Sequence, residues 1–290
     1  MNYQLISQCI INGLLIGGVY SLMAIGLSLI FGVMKIVNFA HGAFMMLGMY
    51  FSYWLFTLFG IDPYLSLIFS IPFFMLFGMV IQKLLINRIL NAPHSAQLLL
   101  TTGIMLFLEN TALFIWSPDF RAVKVSYMGS SLSIGGLIIS IPQFIAFLAS
   151  IFVTVMLFTF LKKSYLGKAI RATSIEKEGA MYVGISINRI YLITFGIGTS
   201  CVGAAGSMIS PFFYISPHVG SVFLITAFVV VVLGGMGNLF GALIGGLIIG
   251  VAESIGALFM PGSLRQVIPY LIFVLILMYK PEGIFGKRIQ

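Results

Sequence analysis

The sequence predicts an all-α polytopic membrane protein with about 8–9 transmembrane helices, an N-terminus outside the cell and a C-terminus in the cytoplasm. Hydrophobic residues make up 60% of the chain and charged residues only 8%, whereas a soluble domain carries roughly 25% charged residues. The apolar runs are long and continuous, as helices that cross a hydrocarbon core of about 30 Å require. A β-barrel would instead show short segments of alternating polarity.

Charged residues and helix breakers divide the chain into nine predicted spans. Residues 1–34 carry no charge and form a first span rather than a removable signal peptide. Pro211 and Pro217 break the uncharged stretch 190–252, and the glycines of "GGMGN" break it again. The eighth span follows that break, and the seventh is short enough to be partial or re-entrant; merging 222–256 would leave eight spans. The predicted spans are 5–30, 39–59, 64–82, 96–116, 142–162, 190–210, 222–233, 239–256 and 266–280.

The basic residues predict the orientation of these spans. One set of alternate loops holds 12 of them, and the other set holds 3, namely Arg121, Lys124 and Arg265. Basic residues concentrate in cytoplasmic loops, so the larger set is predicted to be cytoplasmic. Lys35, at the end of the first span, counts toward it. The net charge of +8 reflects this topology, and because the bases are spread over short loops, nucleic-acid binding is not predicted.

Enzymatic chemistry finds no support in the sequence. It contains no GxxxxGK[ST] loop for ATP and no serine in a GxSxG setting. No His, Cys, Asp or Glu cluster has the spacing of metal ligands. We therefore predict no catalytic residue, no metal and no cofactor, and we interpret Cys9 and Cys201 as small apolar packing residues.

The largest predicted cytoplasmic feature is the loop at about 163–189, "KSYLGKAIRATSIEKEGAMYVGISINR". Good helix formers follow Gly167, and Gly184 is a plausible helix stop. A short helix that ends at a glycine would present a compact knob to a partner protein. The alternative is a basic loop that only enforces topology.

Three motifs resemble a known family. "EGAMYVG" at Glu178 to Gly184 is similar to the Glu-Ala-Ala-x-x-x-Gly loop of ABC importer permeases, except that Gly179 replaces the first alanine. The stretches "GLSLIFGVMKIVNFAHGAFMMLG" and "VLGGMGNLFGALIGGLIIGVAES" resemble permease subunits of branched-chain amino acid ABC transporters. The resemblance implies one permease domain over residues 1–290 in a bacterial-type inner membrane, with ATPase coupling through Arg171, Glu178 and Gly184.

The same resemblance implies a set of partners. These are a second related permease, two cytoplasmic ATP-binding subunits and an extracytoplasmic substrate-binding protein. The missing phosphate-binding loop agrees with ATP hydrolysis on separate subunits. The implied function is import of branched-chain or related amino acids.

Polar residues within the apolar runs are candidates for the translocation path. Asn38 and His41 are three residues apart at the predicted inner end of the second span. They either line the inner part of the path or stabilise a helix break there, or Asn38 caps the helix while His41 bonds within the bundle. Glu109 and Glu253 lie inside spans, where a carboxylate must face the bundle or a wet cavity. We include Asn38, His41 and Glu109 in the predicted path.

Glycines four residues apart predict close helix packing. The pairs are Gly13 with Gly17, Gly241 with Gly245, and Gly246 with Gly250. Small residues at this spacing let helix backbones approach closely. The first and eighth spans are therefore predicted to be central, unless these glycines form an oligomer contact.

Two kinds of alternative function remain open on the sequence alone. Urea or short amides are possible cargoes of a permease of the same family type. A self-contained secondary transporter would couple transport to protons through Glu109 or Glu253. Internal inverted repeats would favour that transporter, and the sequence contains no convincing pair. A receptor or scaffold would depend only on the loop at 163–189.

The predicted orientation can be tested by labelling single cysteines in intact cells. A cysteine that replaces Lys124 should react with an impermeant thiol reagent added outside. A cysteine that replaces Lys168 should react only after the membrane is opened. The reverse pattern would contradict the orientation, and reaction of both sites from outside would contradict the number of spans.

Overall fold

A computed structural model describes residues 3–260 and 267–286, and helices dominate it. A 3-10 turn at Ile86–Ile89 extends the third helix, and an antiparallel hairpin joins β1 (Ser131–Ile134) to β2 (Leu137–Ser140). The α-helices of the described residues are α1 Tyr3–Met34, α2 His41–Phe59, α3 Leu67–Leu84, α4 His94–Trp116, α5 Ile141–Lys163, α6 Tyr165–Ile175, α7 Lys177–Tyr182, α8 Ile187–Ile209, α9 Val219–Gly234, α10 Leu239–Phe259 and α11 Val267–Tyr279.

Each of the nine predicted spans corresponds to a helix, which confirms an all-α polytopic membrane protein, while the orientation of its termini stays a prediction. Seven of the described helices are long and apolar enough to cross a membrane, and α9 and α11 are shorter apolar helices. Residues 222–256 do not form one merged helix, because α9 and α10 are separated by a turn in which Gly235 and Gly237 have positive φ. Residue 266 of the last predicted span, together with Arg265, Lys287 and Arg288, lies outside the described residues.

The bundle has two chemically different ends. The hairpin end carries β1, β2 and the C-terminus of α2; there Gln8 of α1 exchanges two hydrogen bonds with the backbone of Ile138. The opposite end carries the C-terminus of α1 together with α6 and α7, and we call it the α6–α7 end. Arg121 and Lys124 belong to the hairpin end, whereas the basic loop at 163–189 forms the α6–α7 end.

A hydrogen-bonded cluster closes the hairpin end. The Tyr127 hydroxyl donates to a carboxylate oxygen of Asp62 at 2.6 Å, and the other carboxylate oxygen accepts the backbone N–H of Tyr64. The Tyr64 hydroxyl donates to the carbonyl of Pro142 at the start of α5. Burial raises the pKa of Tyr64 and of Tyr127, which keeps both phenols protonated as donors. The α2–α3 loop is thereby attached to α5.

Helix α1 is the centre of the bundle, as predicted, but α10 is not its equal. In the most apolar stretch of each helix, 83% of the α1 residues and 89% of the α8 residues are buried, compared with 33% of the α10 residues. Helix α10 packs along one side of α1, while α8 contacts α1, α2 and α3. The glycine pattern therefore identifies the α1–α10 contact correctly, and α8 is the second central helix.

Backbone contact at glycine holds the main antiparallel pairs together. Gly13 and Gly17 of α1 lie against Gly250 and Gly246 of α10, where an added Cβ would meet backbone atoms. On α8, Gly196 and Gly203 face side chains and backbone of α3 in the same manner. Lipid tails are as apolar as the side chains, so helix association in a membrane depends on such close packing.

The contacts of α1, α2 and α3 correspond to those of α8, α9 and α10 with the chain direction reversed, which is the pattern expected of two inverted repeats. Helix α1 pairs with α10, and α8 pairs with α3 in the corresponding way. Helix α1 also contacts its counterpart α8, and α2 contacts its counterpart α9. Gly26 of α1 contacts Gly198 of α8, and Gly42 of α2 contacts Gly220 of α9. Helix α1 runs away from the hairpin end, whereas α8 runs toward it. The sequence did not reveal this correspondence between the two segments.

The glycine contacts lead to a stability prediction. Gly250→Ala should lower the thermal unfolding midpoint in detergent, because its Cβ would collide with the carbonyl of Gly13; overpacking of this kind costs about 1–3 kcal/mol. Gly103→Ala on α4 is the matched control, because its Cβ would meet nothing within 4 Å. An unchanged midpoint in Gly250→Ala would contradict the close contact of α1 and α10.

Candidate functional site

The second membrane helix begins deep inside the bundle. Helix α1 ends at Met34, Lys35 has a φ of 57°, and the chain then turns back along α1. The Nε2 atom of His41 lies 2.9 Å from the carbonyl oxygen of Met23, which precedes the end of α1 by about three helical turns. At 1.5 Å per residue this places the start of α2 about 16 Å from that end. The prediction that Asn38 and His41 lie at the inner interface is therefore wrong.

Helix α9 begins at the same depth as α2 and runs in the opposite direction. Residues 210–218 re-enter the bundle after α8, and Ile215 forms a backbone bridge with Arg121 on the way. Helix α9 then begins at Val219, and a Cβ on Gly42 would collide with the carbonyl of Gly220. The N-termini of α2 and α9 therefore meet inside the bundle, at the interface of the two repeats. We call this meeting point the helix junction.

Asn38 and His41 are completely buried beside the helix junction. The Asn38 side-chain oxygen accepts the N–H of Ala40 at 3.1 Å, and Ala40 rather than Asn38 is the N-cap residue. The bond from His41 to Met23 confirms that His41 is bonded within the bundle. Asn38 Nδ2 and His41 Nδ1 are buried without a hydrogen-bond partner among the described residues.

Glu109 faces the same region from α4. Its side chain is 8% exposed, and its Oε1 atom has no hydrogen-bond partner in the described part of the chain. His218, the N-cap residue of α9, is close enough to interact electrostatically with this carboxylate. The structure therefore brings Asn38 and His41 together at the helix junction, and Glu109 is linked to it through its interaction with His218. Glu253 lies elsewhere and accepts a hydrogen bond from Tyr20 at 2.9 Å.

Sequence reasoning missed the contribution of α9. His218 and Ser221 are exposed on its first turn, although a membrane-embedded polar group normally faces a cavity or another protein. The available signal was a short similarity between the two breaks. His41 directly precedes Gly42, and His218 precedes Gly220 by two residues.

The predicted coupling residues lie at the α6–α7 end, remote from the helix junction. Arg171 of α6 lines a small cavity with Ser28 and Gly237, and Glu178 is exposed in the first turn of α7. Gly184 has a φ of 83°, and its N–H bonds to Met181 while that of Ile185 bonds to Ala180. These two bonds end α7 as a Schellman motif. The glycine-terminated helix is thus present, but nothing contacts Gly184 closely.

The described residues form neither a metal site nor a disulfide bond. Within 3–260 and 267–286, no three His, Cys, Asp or Glu side chains are grouped to hold a metal ion. Cys9 and Cys201 are free thiols inside the bundle.

Comparison with known proteins agrees with this architecture. The family described as "Branched-chain amino acid transport system / permease component" matches residues 9–277. The chain is 30% identical to the high-affinity branched-chain amino acid transport system permease protein BraD of Pseudomonas aeruginosa, with 97% of this chain and 95% of that protein covered. It is 29% identical to the permease protein LivH of Escherichia coli K12 over the same shares. No solved structure matches the chain.

These matches cover nearly the whole chain and identify its class. The chain is a multi-pass inner-membrane protein and a transport component rather than an enzyme, with ATP hydrolysis on separate subunits. Neither the urea permease nor the proton-coupled transporter is favoured by the relatives. The repeat-like pattern alone would favour the secondary transporter, but the match over residues 9–277 is to a permease component. The chain belongs to the permease component family of branched-chain amino acid transport systems.

Proposed function

We propose that this chain forms half of the translocation path of an ATP-driven importer for branched-chain or related amino acids. Its partners would be a second related permease, two cytoplasmic ATP-binding subunits and an extracytoplasmic substrate-binding protein. The observation that carries the proposal is the apolar surface of the α6–α7 end, because it calls for a protein partner outside the membrane.

This apolar surface surrounds α7. Ile175, Tyr182 and Val183 are 83%, 86% and 75% exposed, and Met181 beside them is also exposed. Such a patch outside the membrane marks a protein interface. The basic residues of the loop and the family resemblance both favour an ATP-binding subunit as the protein that covers it. Helix α6 packs against α1, α5 and α8, so a force on the patch would reach the central helices.

The hairpin end is the proposed contact for the substrate-binding protein. Phe120, Leu132 and Ile138 are exposed at this end, which also carries the cationic Arg121 and Lys124. The Arg121 guanidinium lies over the rings of Tyr53 and Trp54, at 5.5 and 5.4 Å from their centroids. A rigid cationic and apolar rim suits a partner with an acidic and apolar surface.

The path itself is proposed to pass the helix junction. Asn38, His41 and Glu109 hold unpartnered polar atoms there, within the described part of the chain. The exposed His218 and Ser221 favour a path that runs along the outside of this chain, against the second permease. Full burial of Asn38 and His41 implies that they contribute only when the junction opens.

Coupling can be tested at Gly184. Gly184→Leu should lower ATP-driven transport and co-purification of the ATP-binding subunits, because a branched residue at a φ of 83° costs roughly 1–2 kcal/mol and reorients α7. Gly184→Asn is the matched control, since asparagine tolerates this conformation. Full transport and full ATPase binding by Gly184→Leu would contradict the docking role of α7.

The path can be tested by separating uptake from stability. In reconstituted vesicles Glu109→Gln should reduce uptake at least tenfold at an unchanged unfolding midpoint, because the amide keeps the shape and removes the charge. Asn38→Ala and His41→Ala should reduce uptake and also lose stability, by about 1–3 kcal/mol for His41, whose bond to Met23 is buried. Normal uptake in Glu109→Gln would remove Glu109 from the path. Uptake losses in the two alanine variants that merely follow their stability would make Asn38 and His41 structural.

A further inference from the structure

We propose that the helix junction is the binding site for the charged head group of the transported amino acid, its α-carboxylate and α-ammonium together. The inference rests on the proposed function, and it names the part of the cargo that this site recognises. Three kinds of observation carry it: two converging helix N-termini, unpartnered buried polar atoms of both hydrogen-bonding types, and an apolar surface beside them.

The two helix N-termini favour a negatively charged ligand. Each helix N-terminus carries a partial positive charge of about half an elementary charge, and its first N–H groups lack intrahelical acceptors. Among the described residues, neither Ala40 nor His218 provides a side-chain hydrogen bond as N-cap of α2 or α9. The contact of Gly42 with Gly220 keeps both positive ends together in a low-dielectric region. Discontinuous helices of this kind bind substrate carboxylates in transporters built from inverted repeats.

The unpartnered atoms supply the second, independent observation. Asn38 is fully buried, and its side-chain oxygen bonds to Ala40 in the first turn of α2, which places Nδ2 as a free donor at that N-terminus. A neutral His41 that donates from Nε2 to the carbonyl of Met23 keeps Nδ1 as an acceptor. Glu109 Oε1 is a further buried acceptor without a partner in the described chain.

This combination of donors and acceptors selects a zwitterion over simpler ions. A carboxylate accepts from Asn38 and the helix N-termini, and an ammonium group donates to Glu109 and His41. An inorganic anion would leave the acceptors unmet, and a metal or ammonium cation would face two positive helix ends. Only a ligand that carries both charges a short distance apart satisfies the complete set.

The aliphatic side chain of such a ligand also has a surface to contact. Ile225 lies four residues after Ser221 on α9, so both occupy one exposed face of the helix. Ile225 is 46% exposed, one turn beyond the helix junction. An amino acid bound with its head group at the junction would place its side chain along this face.

Protection of a cysteine tests the site directly in the complete transporter. Ser221→Cys would be made in a chain carrying Cys9→Ala and Cys201→Ala, and the rate of its reaction with a small maleimide measured in nanodiscs. L-leucine should slow the reaction at least fivefold. L-leucinamide, which lacks the carboxylate charge, and 4-methylpentanoate, which lacks the ammonium group, should slow it less than twofold at the same concentration. A cysteine in place of Lys124 should not be protected by any of them.

Matched charge variants then assign the ammonium contact. In the Ser221→Cys background, Glu109→Gln should raise the leucine concentration for half-protection about tenfold. Glu253→Gln, an intramembrane carboxylate outside the helix junction, should leave it unchanged. Equal protection by 4-methylpentanoate, equal protection by inorganic phosphate, or an unchanged half-protection concentration in Glu109→Gln would overturn the assignment.

The same preparation separates this inference from the proposed function. Normal ATP-driven leucine uptake without protection of Ser221→Cys would overturn the head-group site and leave the importer function standing. Protection with the expected analogue pattern in a complex that imports no leucine would support the site and overturn the proposed transport.

Discussion

The close approach of helix backbones at glycine is the constraint on which the rest of this structure depends. Lipid provides no hydrophobic force between helices, so the bundle is held by packing and by internal hydrogen bonds. Contacts between Gly26 and Gly198, and between Gly42 and Gly220, join the two repeats at their centre. Because these contacts bury the surrounding backbone, two helices can begin inside the membrane. A break exposed to lipid would leave polar backbone groups unsatisfied.

The broken helices explain why polar residues are found where they are. His41 bonds the start of α2 to α1, Asn38 accepts the N–H of Ala40 within the same turn, and His218 is the N-cap residue of α9. Glu109 is a buried carboxyl group on α4 that interacts electrostatically with His218. Asn38, His41 and His218 therefore mark the places where helices begin inside the bundle, and this interruption creates the features expected of a substrate site.

The helix junction and the α6–α7 end, which are the two proposed functional regions, are linked through α1. Helix α6 packs against α1 near a cavity of about 40 Å³ lined by Ser28, Gly32 and Arg171. From the end of α1 the chain turns back toward His41, while Gly32 touches the turn at Gly237 that joins α9 to α10. A displacement of α6 and α7 would therefore act on the segment that leads from α1 to the start of α2 and on the turn at the C-terminal end of α9. This continuity is a physical basis for coupling an event at the α6–α7 end to the interior of the bundle.

Much of the fold is encoded locally and can be predicted from the sequence. Hydropathy determined the membrane environment and the nine helices, and Gly184 ends α7 because its positive φ is a local property of the chain. Tertiary structure alone decided the depth at which α2 and α9 begin. Residues 35–40 are compatible with a position at the membrane interface or in the interior of the bundle. The hydrogen bond of His41 to Met23 and the backbone contact of Gly42 with Gly220 place them in the interior, and these partners lie far apart in sequence. The inverted repeat was equally hidden, because two halves related by packing need to share only small residues at their crossings, and not a common sequence.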